Sequence, residues 1–440
     1  MSALIEPRTL KGFRDYPPSL MIPRERLLET ARRVYRSFGF APIDTPALEY
    51  AEILLGKGGD ESDRLIYRFK DHGDRDVALR FDLTVPFARF AAQNIGKLGT
   101  PFKRYAMGPV WRGENAARGR FREFWQCDFD TIGTTSNASD AETAVVICEL
   151  MRALGFERFE VRVNNRLLLN GLLEQLGVAD KAVPVLRALD KLLKVGRDKV
   201  AAEMVEAGGI APAQAESVLD LAALTGSSDE MIDRLRRDFS ANARAADGVA
   251  RLAQLLEVAK AAGVPEANLR LDLSIARGLD YYTGTIYETF LLDKPDIGSV
   301  CSGGRYDNLA GLYTKQALPG VGASLGVDRL LAAMEEMGLI EGVSTPAPVL
   351  LVQFAEEHLP GYARVAQLLR RAGINTEVYP EAKKMGAQLK YAESRGVKVA
   401  LIAGPDEFAQ GVWKVKDLAQ RQETTVAEAA VVEAVRAVLR

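Results

Sequence analysis

From Arg166 to Asn268 the chain carries one aromatic residue, Phe239, although segments rich in aromatics and arginines precede this interval. Strands resume after it at LRLDLSIA. Inside the interval LLLNGLLEQL, VPVLRALDKLLK and ADGVARLAQLLEVAKAAG place apolar residues at i, i+3 and i+4, the spacing of amphipathic helices. A β-rich unit broken by a long helical stretch must close across the break. The interval 166–268 therefore reads as a helical domain inserted into the β-rich one, the alternative being a helical layer of the same domain.

Ahead of the break, Leu27, Leu28, Ala31, Val34, Tyr35 and Phe38 recur at helical spacing. Pro23 stands where a helix can start, which predicts a helix from Pro23 to Phe38. Gly39 ends it, and FAPIDTPALEY reads as a strand interrupted by prolines. A second helix is expected over 140–154, followed by a strand at RFEVRVNN. After Met337, GLIEGVSTPAP is a linker by composition. Beyond it PVLLVQF, a helix over 361–372, INTEVYP, a helix over 384–395, VKVALIAG, VWKVKDL and a helix over 427–439 predict a separate α/β unit.

Composition removes several kinds of chemistry. The 440 residues suggest about three domains. There are two histidines, His72 and His358, and three scattered cysteines, Cys127, Cys148 and Cys301. That leaves almost nothing for a zinc site or for a Ser-His-Asp or Cys-His mechanism, and the cysteines suit a reducing compartment. Lys+Arg of 57 against Asp+Glu of 59 gives a net charge of −2, which offers no support for bulk nucleic-acid or membrane binding but leaves room for a local basic patch. The amino terminus resembles neither a signal nor a transit peptide, and no apolar run approaches the ~18 residues of a membrane span. A soluble, cytoplasmic protein is expected.

Two strand-like segments concentrate polar groups. In RYAMGPVWR one face carries Arg104, Ala106, Gly108, Val110 and Arg112. In REFWQCDFD, Trp125, Cys127 and Phe129 form an apolar face opposite Arg122, Phe124, Gln126, Asp128 and Asp130. Side by side, such strands predict a cleft in which small residues leave room for a ligand; a solvent-exposed sheet face is the alternative. Their connection, GENAARGRF, adds Arg118 and Arg120, which with Arg122 suit phosphate. In ARGLDYYTGTIYE, Arg277 precedes a glycine and two tyrosines expected on opposite sides of a strand. In CSGGRYDNL, Gly303 and Gly304 permit close backbone approach before Arg305. In GVGASLGVDRLLAAME a strand runs into a helix, with Arg329 off its apolar stripe. Arginines, carboxylates, one glutamine and tyrosines fit phosphoryl or nucleotidyl transfer by positioning and charge stabilisation. No GxxxxGK[ST] loop is present.

The order of these motifs, over essentially the whole chain, resembles class II aminoacyl-tRNA synthetases and, among them, the histidyl-tRNA synthetase family. KGFRDYPP and the helix plus strand ending at Pro46 resemble the family's start and motif 1, its dimer interface. FKRYAMGPVWRGE with GRFREFWQCDFD resembles motif 2, and GVGASLGVDRL motif 3. ARGLDYYTGTIYE and GGRYD resemble the two histidine-specific signatures. The resemblance implies an α+β fold: a class II catalytic domain with antiparallel sheet and helices at 1–165 and 269–337, a helical insertion domain at 166–268, and a C-terminal α/β anticodon-binding domain at 348–440. It implies ATP-dependent activation of L-histidine to histidyl-adenylate and transfer to the 3′-terminal adenosine of tRNA(His). Mg²⁺ would accompany ATP as substrate, no tightly bound cofactor is expected, and the protein would be a homodimer without membrane association.

Roles follow position by position. Arg112 matches the arginine that binds the α-phosphate and the amino-acid carboxylate. Glu114 matches the acid near adenine and the acceptor end, and Phe124 the aromatic that stacks on adenine. Arg120 and Arg329 would reach the terminal phosphates. Asp82 and Thr84, in RFDLTVPFAR, would hold the α-amino group with help from Gln126. Asp130 and Tyr282 match the pair that reads the imidazole, whose two ring nitrogens a carboxylate and a phenol can both meet. Tyr281 belongs to the same histidine-binding set, and Arg277 matches the catalytic arginine at the α-phosphate. Two positions depart from the usual spelling: Asp328 stands where glutamate is common, and Gly113 follows the motif 2 arginine. Asn115 to Gly119 would read the acceptor end, and Lys414 and Lys416 are candidate phosphate contacts in the last domain. The rival reading is a histidine-sensing regulatory subunit of ATP phosphoribosyltransferase. Such proteins typically lack the anticodon-binding domain and erode the ATP-binding arginines, whereas Arg112, Arg277 and Arg329 are all present here.

Overall fold

The β-rich segments on either side of the helical interval join in one sheet. The computed structural model describes residues 4–56, 63–278, 281–340 and 342–440. Contacts divide it into two units, one reaching Met337 and the other formed by Asp15–Arg26 with Gly338–Arg440.

The first unit contains strands β1 (Ala41–Pro42), β2 (Leu48–Tyr50), β3 (Arg68–Lys70), β4 (Asp76–Leu79), β5 (Phe102–Trp111), β6 (Glu123–Ile132), β7 (Phe159–Asn165), β8 (Leu269–Leu271), β9 (Thr285–Leu291), β10 (Cys301–Tyr306) and β11 (Gly320–Gly326). Eight of them form a sheet in the order β1-β5-β6-β11-β10-β9-β7-β8. It is antiparallel except at its two edges, β1–β5 and β7–β8. The break is bridged twice, where β11 pairs with β6 and where β8 and β9 flank β7. β2, β4 and β3 make a small antiparallel sheet beside the helix Thr84–Leu98.

Period-two alternation sorts the large sheet into two faces. Cys127 and Phe129 are fully buried against Tyr35, Tyr105 and the helix Asn137–Ala153. Gln126, Asp128 and Asp130 take the other face. On neighbouring β11, Gly322 is in register with Asp130, and a Cβ there would collide with the Asp130 carboxylate. Glycine is required at this point because a charged group needs the space. The small residues of β5 serve differently from the expected ligand space. Arg80 occupies the room beside Gly108, donating to the carbonyls of Pro109 and Thr45, and Leu83 packs on Ala106 and Val110.

The interval expected as a separate domain, 166–268, falls within the contact-defined unit that contains the sheet. Leu168, Leu169, Leu252 and Leu255 share one apolar core with Val161 and Val163 of β7. The helices Arg166–Gln175 and Ala243–Ala261 cross closely, since side chains at Gly171 and Gly248 would meet the opposite helix. The helix expected from Pro23 begins at Pro18, and Pro23 lies inside it at the loss of one N–H donor.

Arg305 of the GGRYD segment serves as a buried tie. Its guanidinium pairs with Asp140 and donates to the carbonyls of Thr134 and Ser136. Asp140 also accepts from Thr285, and its carbonyl accepts from Tyr287. Removing one partner of such a buried pair typically costs about 3–5 kcal/mol.

In the second unit β12 (Val349–Leu351), β13 (Thr376–Val378), β14 (Val399–Ile402), β15 (Val412–Asp417) and β16 (Glu423–Ala427) form a sheet ordered β13-β12-β14-β15-β16. The first three strands are parallel and the last two antiparallel. Trp413, Tyr362 and Val431 anchor its core. β16 and the helix Pro405–Gln410 are additions to the expected elements; β16 is mostly exposed and shows no apolar alternation, and the last helix starts at Val431 instead of 427. No helix among the described residues is long and apolar enough to cross a membrane.

Candidate active site

Two adjoining cavities open on the polar face of the large sheet. The first, about 260 Å³, is lined by Asp82, Thr84, Gln126, Asp130, Tyr281 and Tyr282. The second, about 210 Å³, is lined by Glu114, Arg120, Phe124 and Arg329. Arg112, Gln126, Arg277, Ser302 and Ser324 border both. Every residue singled out from the sequence for a histidine, ATP or catalytic role thus borders one cavity or both.

At the floor of the first cavity Asp130 is 3% exposed. Arg104 Nη2 reaches its Oδ2 at 2.6 Å, and the Tyr306 hydroxyl donates to its Oδ1 at 2.6 Å. Arg104 is fully buried, donates to the Leu83 carbonyl at 3.2 Å and lies 4.4 Å over the Phe87 ring. Burial raises the Asp130 pKa, while Arg104 and then Tyr306 pull it down. Asp82 spends one carboxylate oxygen on the backbone N–H groups of Thr84 and Val85, at 3.0 and 2.8 Å. This fixes its orientation at the start of the helix Thr84–Leu98. Gln126 Nε2 donates to Ser324 Oγ at 2.9 Å, so its amide is also set by the sheet.

The tyrosines do not flank a strand as their alternation predicts. Gly278 has a φ of +69°, and the Tyr282 N–H returns to its carbonyl at 2.9 Å. This turn places both rings against the first cavity, edge to face with centroids 4.7 Å apart. Leu279 and Asp280 of the same signature lie outside the described residues.

The second cavity is strongly cationic. Arg112 donates to the Phe81 carbonyl at 3.0 Å, and its guanidinium lies 4.2 Å from the Phe81 ring and 5.1 Å from the Phe124 ring. Glu114 is 3.7 Å from Arg112 and 3.8 Å from Arg120. Arg329 donates to the Ser299 carbonyl at 2.5 Å. Burial, and after it the charges of Arg120, Arg277 and Arg112, push the Arg329 pKa down to about 10. Like charges held this close form a site for a polyanion. Among the described residues no cluster of His, Cys, Asp and Glu suited to a metal occurs.

Several motif residues support the site from behind. Asp328 accepts from the Trp125 N–H at 2.7 Å and lies 3.6 Å from Arg14, joining the helix Val327–Glu336 to β6 and to the KGFR segment. Arg122 donates to the carbonyls of Glu114 and Lys11. Arg118 pairs with Glu336. In the second unit Lys414 pairs with Glu407 at 3.0 Å, and Lys416 stands opposite Glu423. Sequence reasoning missed Tyr306 and Glu288 as site residues; Glu288, on β9, meets Arg277 Nη1 at 2.8 Å. Tyr306 immediately follows the arginine of GGRYD, so proximity to a recognised motif was its available signal.

A family model described as histidyl-tRNA synthetase matches residues 12–330, and one described as an anticodon binding domain matches 347–438. A histidine–tRNA ligase of Rhodopirellula baltica is 58% identical over 99% of this chain and 99% of its own length. One from Wolinella succinogenes is 49% identical over 94% and 95%. The crystal structure of histidyl-tRNA synthetase from Nostoc sp. PCC 7120 superposes with a TM-score of 0.90 at 36% identity, covering 98% of this chain and 99% of that one.

Asp128, on the same sheet face as Asp130 and 1% exposed, supplies a pH test. Burial raises its pKa from 3.8 to about 7, with Arg104 opposing and Asp130 adding to the shift. The folded state then binds this proton more tightly than the unfolded chain, so stability falls as pH rises from about 4 to about 7. In thermal unfolding, Asp128→Asn should gain several degrees over the parent at pH 8 and much less at pH 5. Equal offsets at both pH values would mean that Asp128 is not the titrating group.

Proposed function

The chain belongs to the histidyl-tRNA synthetase family, and from that premise we infer that it activates histidine with ATP and transfers it to tRNA(His). The observation that carries this reading is the pair of cavities joined across Arg112, Gln126 and Arg277, one lined by acids and phenols and the other by arginines.

Histidine occupies the first cavity. Its ammonium group meets Asp82, Thr84 and Gln126, and its ring meets Asp130 and Tyr282, with Tyr281 packed alongside. Because Arg104 neutralises Asp130, the carboxylate accepts a ring N–H without a net buried charge. An amino acid lacking those nitrogens would leave buried groups unpaired, which is how such sites discriminate. ATP occupies the second cavity with its adenine on Phe124 near Glu114. Arg120 and Arg329 hold the terminal phosphates, and Arg112 and Arg277 the α-phosphate.

The histidine carboxylate attacks the α-phosphorus. The bond to the bridging oxygen breaks, pyrophosphate leaves, and the arginines stabilise charge on the non-bridging oxygens. A hydroxyl of the terminal adenosine of tRNA then attacks the acyl carbon and AMP departs. ATP enters with Mg²⁺, held mainly by its phosphates. Residues 347–438, which match an anticodon binding domain, would grip the far end of the tRNA, and a cytoplasmic homodimer is the working form. Against the regulatory-subunit alternative stand the arginines at the second cavity and the near-complete identity span with ligases.

ATP–pyrophosphate exchange tested with each of the twenty amino acids should depend on histidine alone; exchange indifferent to histidine would sink the reading. Arg277→Ala should slow exchange by about 10²–10³-fold, the usual loss for one charge-stabilising donor, with KM for histidine within about threefold of the parent. A rise in KM matching the loss of rate would assign Arg277 to substrate binding instead.

A further inference from the structure

Arg277 belongs to no regular element, unlike Arg112 on the β5 hairpin and Arg329 on a helix. Its carbonyl is pinned by Arg166 Nη2 at 2.7 Å, but its side chain is 42% exposed and shares the second cavity with Arg112, Arg120 and Arg329. Repulsion from Arg120, Arg277 and Arg112 adds to burial in lowering the Arg329 pKa. An arginine free to turn would relieve it by swinging into water, away from the junction of the cavities. What opposes that motion is Glu288, whose Oε1 lies 2.8 Å from Arg277 Nη1.

Glu288 is well placed for this task. It is 5% exposed and sits in the middle of β9, in register with Ser302 of β10 and Arg162 of β7. Ser302 itself borders both cavities. Around its carboxylate, Arg277 and Arg162 bring positive charge, and Asp190 and Asp272 negative charge. Burying a carboxylate is costly, and this one is set on a rigid strand behind an arginine on an irregular segment.

We propose that Glu288 is a positioning residue that holds the Arg277 guanidinium at the junction of the two cavities before ATP arrives. Held there, Arg277 meets the charge that develops on the α-phosphate without first reorganising. The inference rests on the adenylate-forming role given to Arg277 above, and Glu288 itself touches no substrate.

The test is a double-mutant cycle on the full-length chain, read by histidine-dependent ATP–pyrophosphate exchange. Glu288→Gln should lower kcat about tenfold or more, with KM for histidine within twofold. Glu288→Asp, which keeps the charge, should recover most of the rate. In the Arg277→Ala background Glu288→Gln should cost less than twofold further. An unchanged kcat in Glu288→Gln, a loss carried by KM, or the same fold-loss with and without Arg277 would each overturn the proposal. Should Glu288→Gln fail to fold, as judged by its unfolding midpoint, Glu288→Asp enters the same cycle, with a smaller loss that must again vanish in Arg277→Ala. Absence of histidine-dependent exchange in the parent protein would instead overturn the functional reading, so the two failures are distinguishable.

Discussion

A carboxylate that is 3% exposed in the middle of an eight-stranded sheet has to be neutralised, and the architecture of the catalytic unit is arranged around that need. Arg104 arrives from β5, Tyr306 from β10, and Gly322 of β11 leaves the volume in which Asp130 sits. β5 and β6 precede the helical interval, whereas β10 and β11 follow it. The β5–β6 hairpin brings Arg104 to Asp130 by itself, whereas Tyr306 and the space at Gly322 are added only when the sheet closes across the break. Burying both charges costs several kcal/mol per ion before their attraction is counted. The return is a fixed acceptor at the floor of a cavity, with its own charge already balanced.

The two cavities differ in how charge is handled. In the first, Asp130 has Arg104, and Asp82 is oriented by a helix N-terminus. In the second, four arginines outnumber the acids Glu114 and Asp328, and burial followed by the neighbouring arginine charges lowers the Arg329 pKa. A neutral side chain suits the one and a triphosphate the other. A net charge of −2 over the chain hides this separation, because the positive excess is local.

Much of the site was legible because strand alternation is simple. The spacing of Gln126 and Asp130 against Cys127 and Phe129 put polar groups on one face and core on the other, and the sheet is built that way. Three things were not legible. Ala106 and Gly108 make room, but for Leu83 and Arg80, and no local pattern says which neighbour will fill a gap. The alternation of Tyr281 and Tyr282 is overridden by the turn at Gly278, where a positive φ breaks the strand period. Arg305, prominent in its motif, turned out to pair with Asp140, far back in sequence, away from both cavities. Ion pairs such as Arg305–Asp140 and Arg277–Glu288 leave no periodic trace. The helical interval illustrates the same limit: its amphipathic faces were evident, but they did not decide between an inserted domain and a layer sharing a core with β7.

The claim on which the rest depends is that the Asp130 carboxylate, balanced by Arg104, receives the histidine ring. Calorimetric titration of L-histidine and, separately, of ATP into the full chain and into Asp130→Asn tests it directly. A hydrogen bond to a charged group contributes about 1.5–3 kcal/mol, so histidine should bind the variant roughly tenfold to a hundredfold more weakly, with ATP affinity within twofold of the parent. Unchanged histidine affinity, or equal weakening of both ligands, would contradict the account.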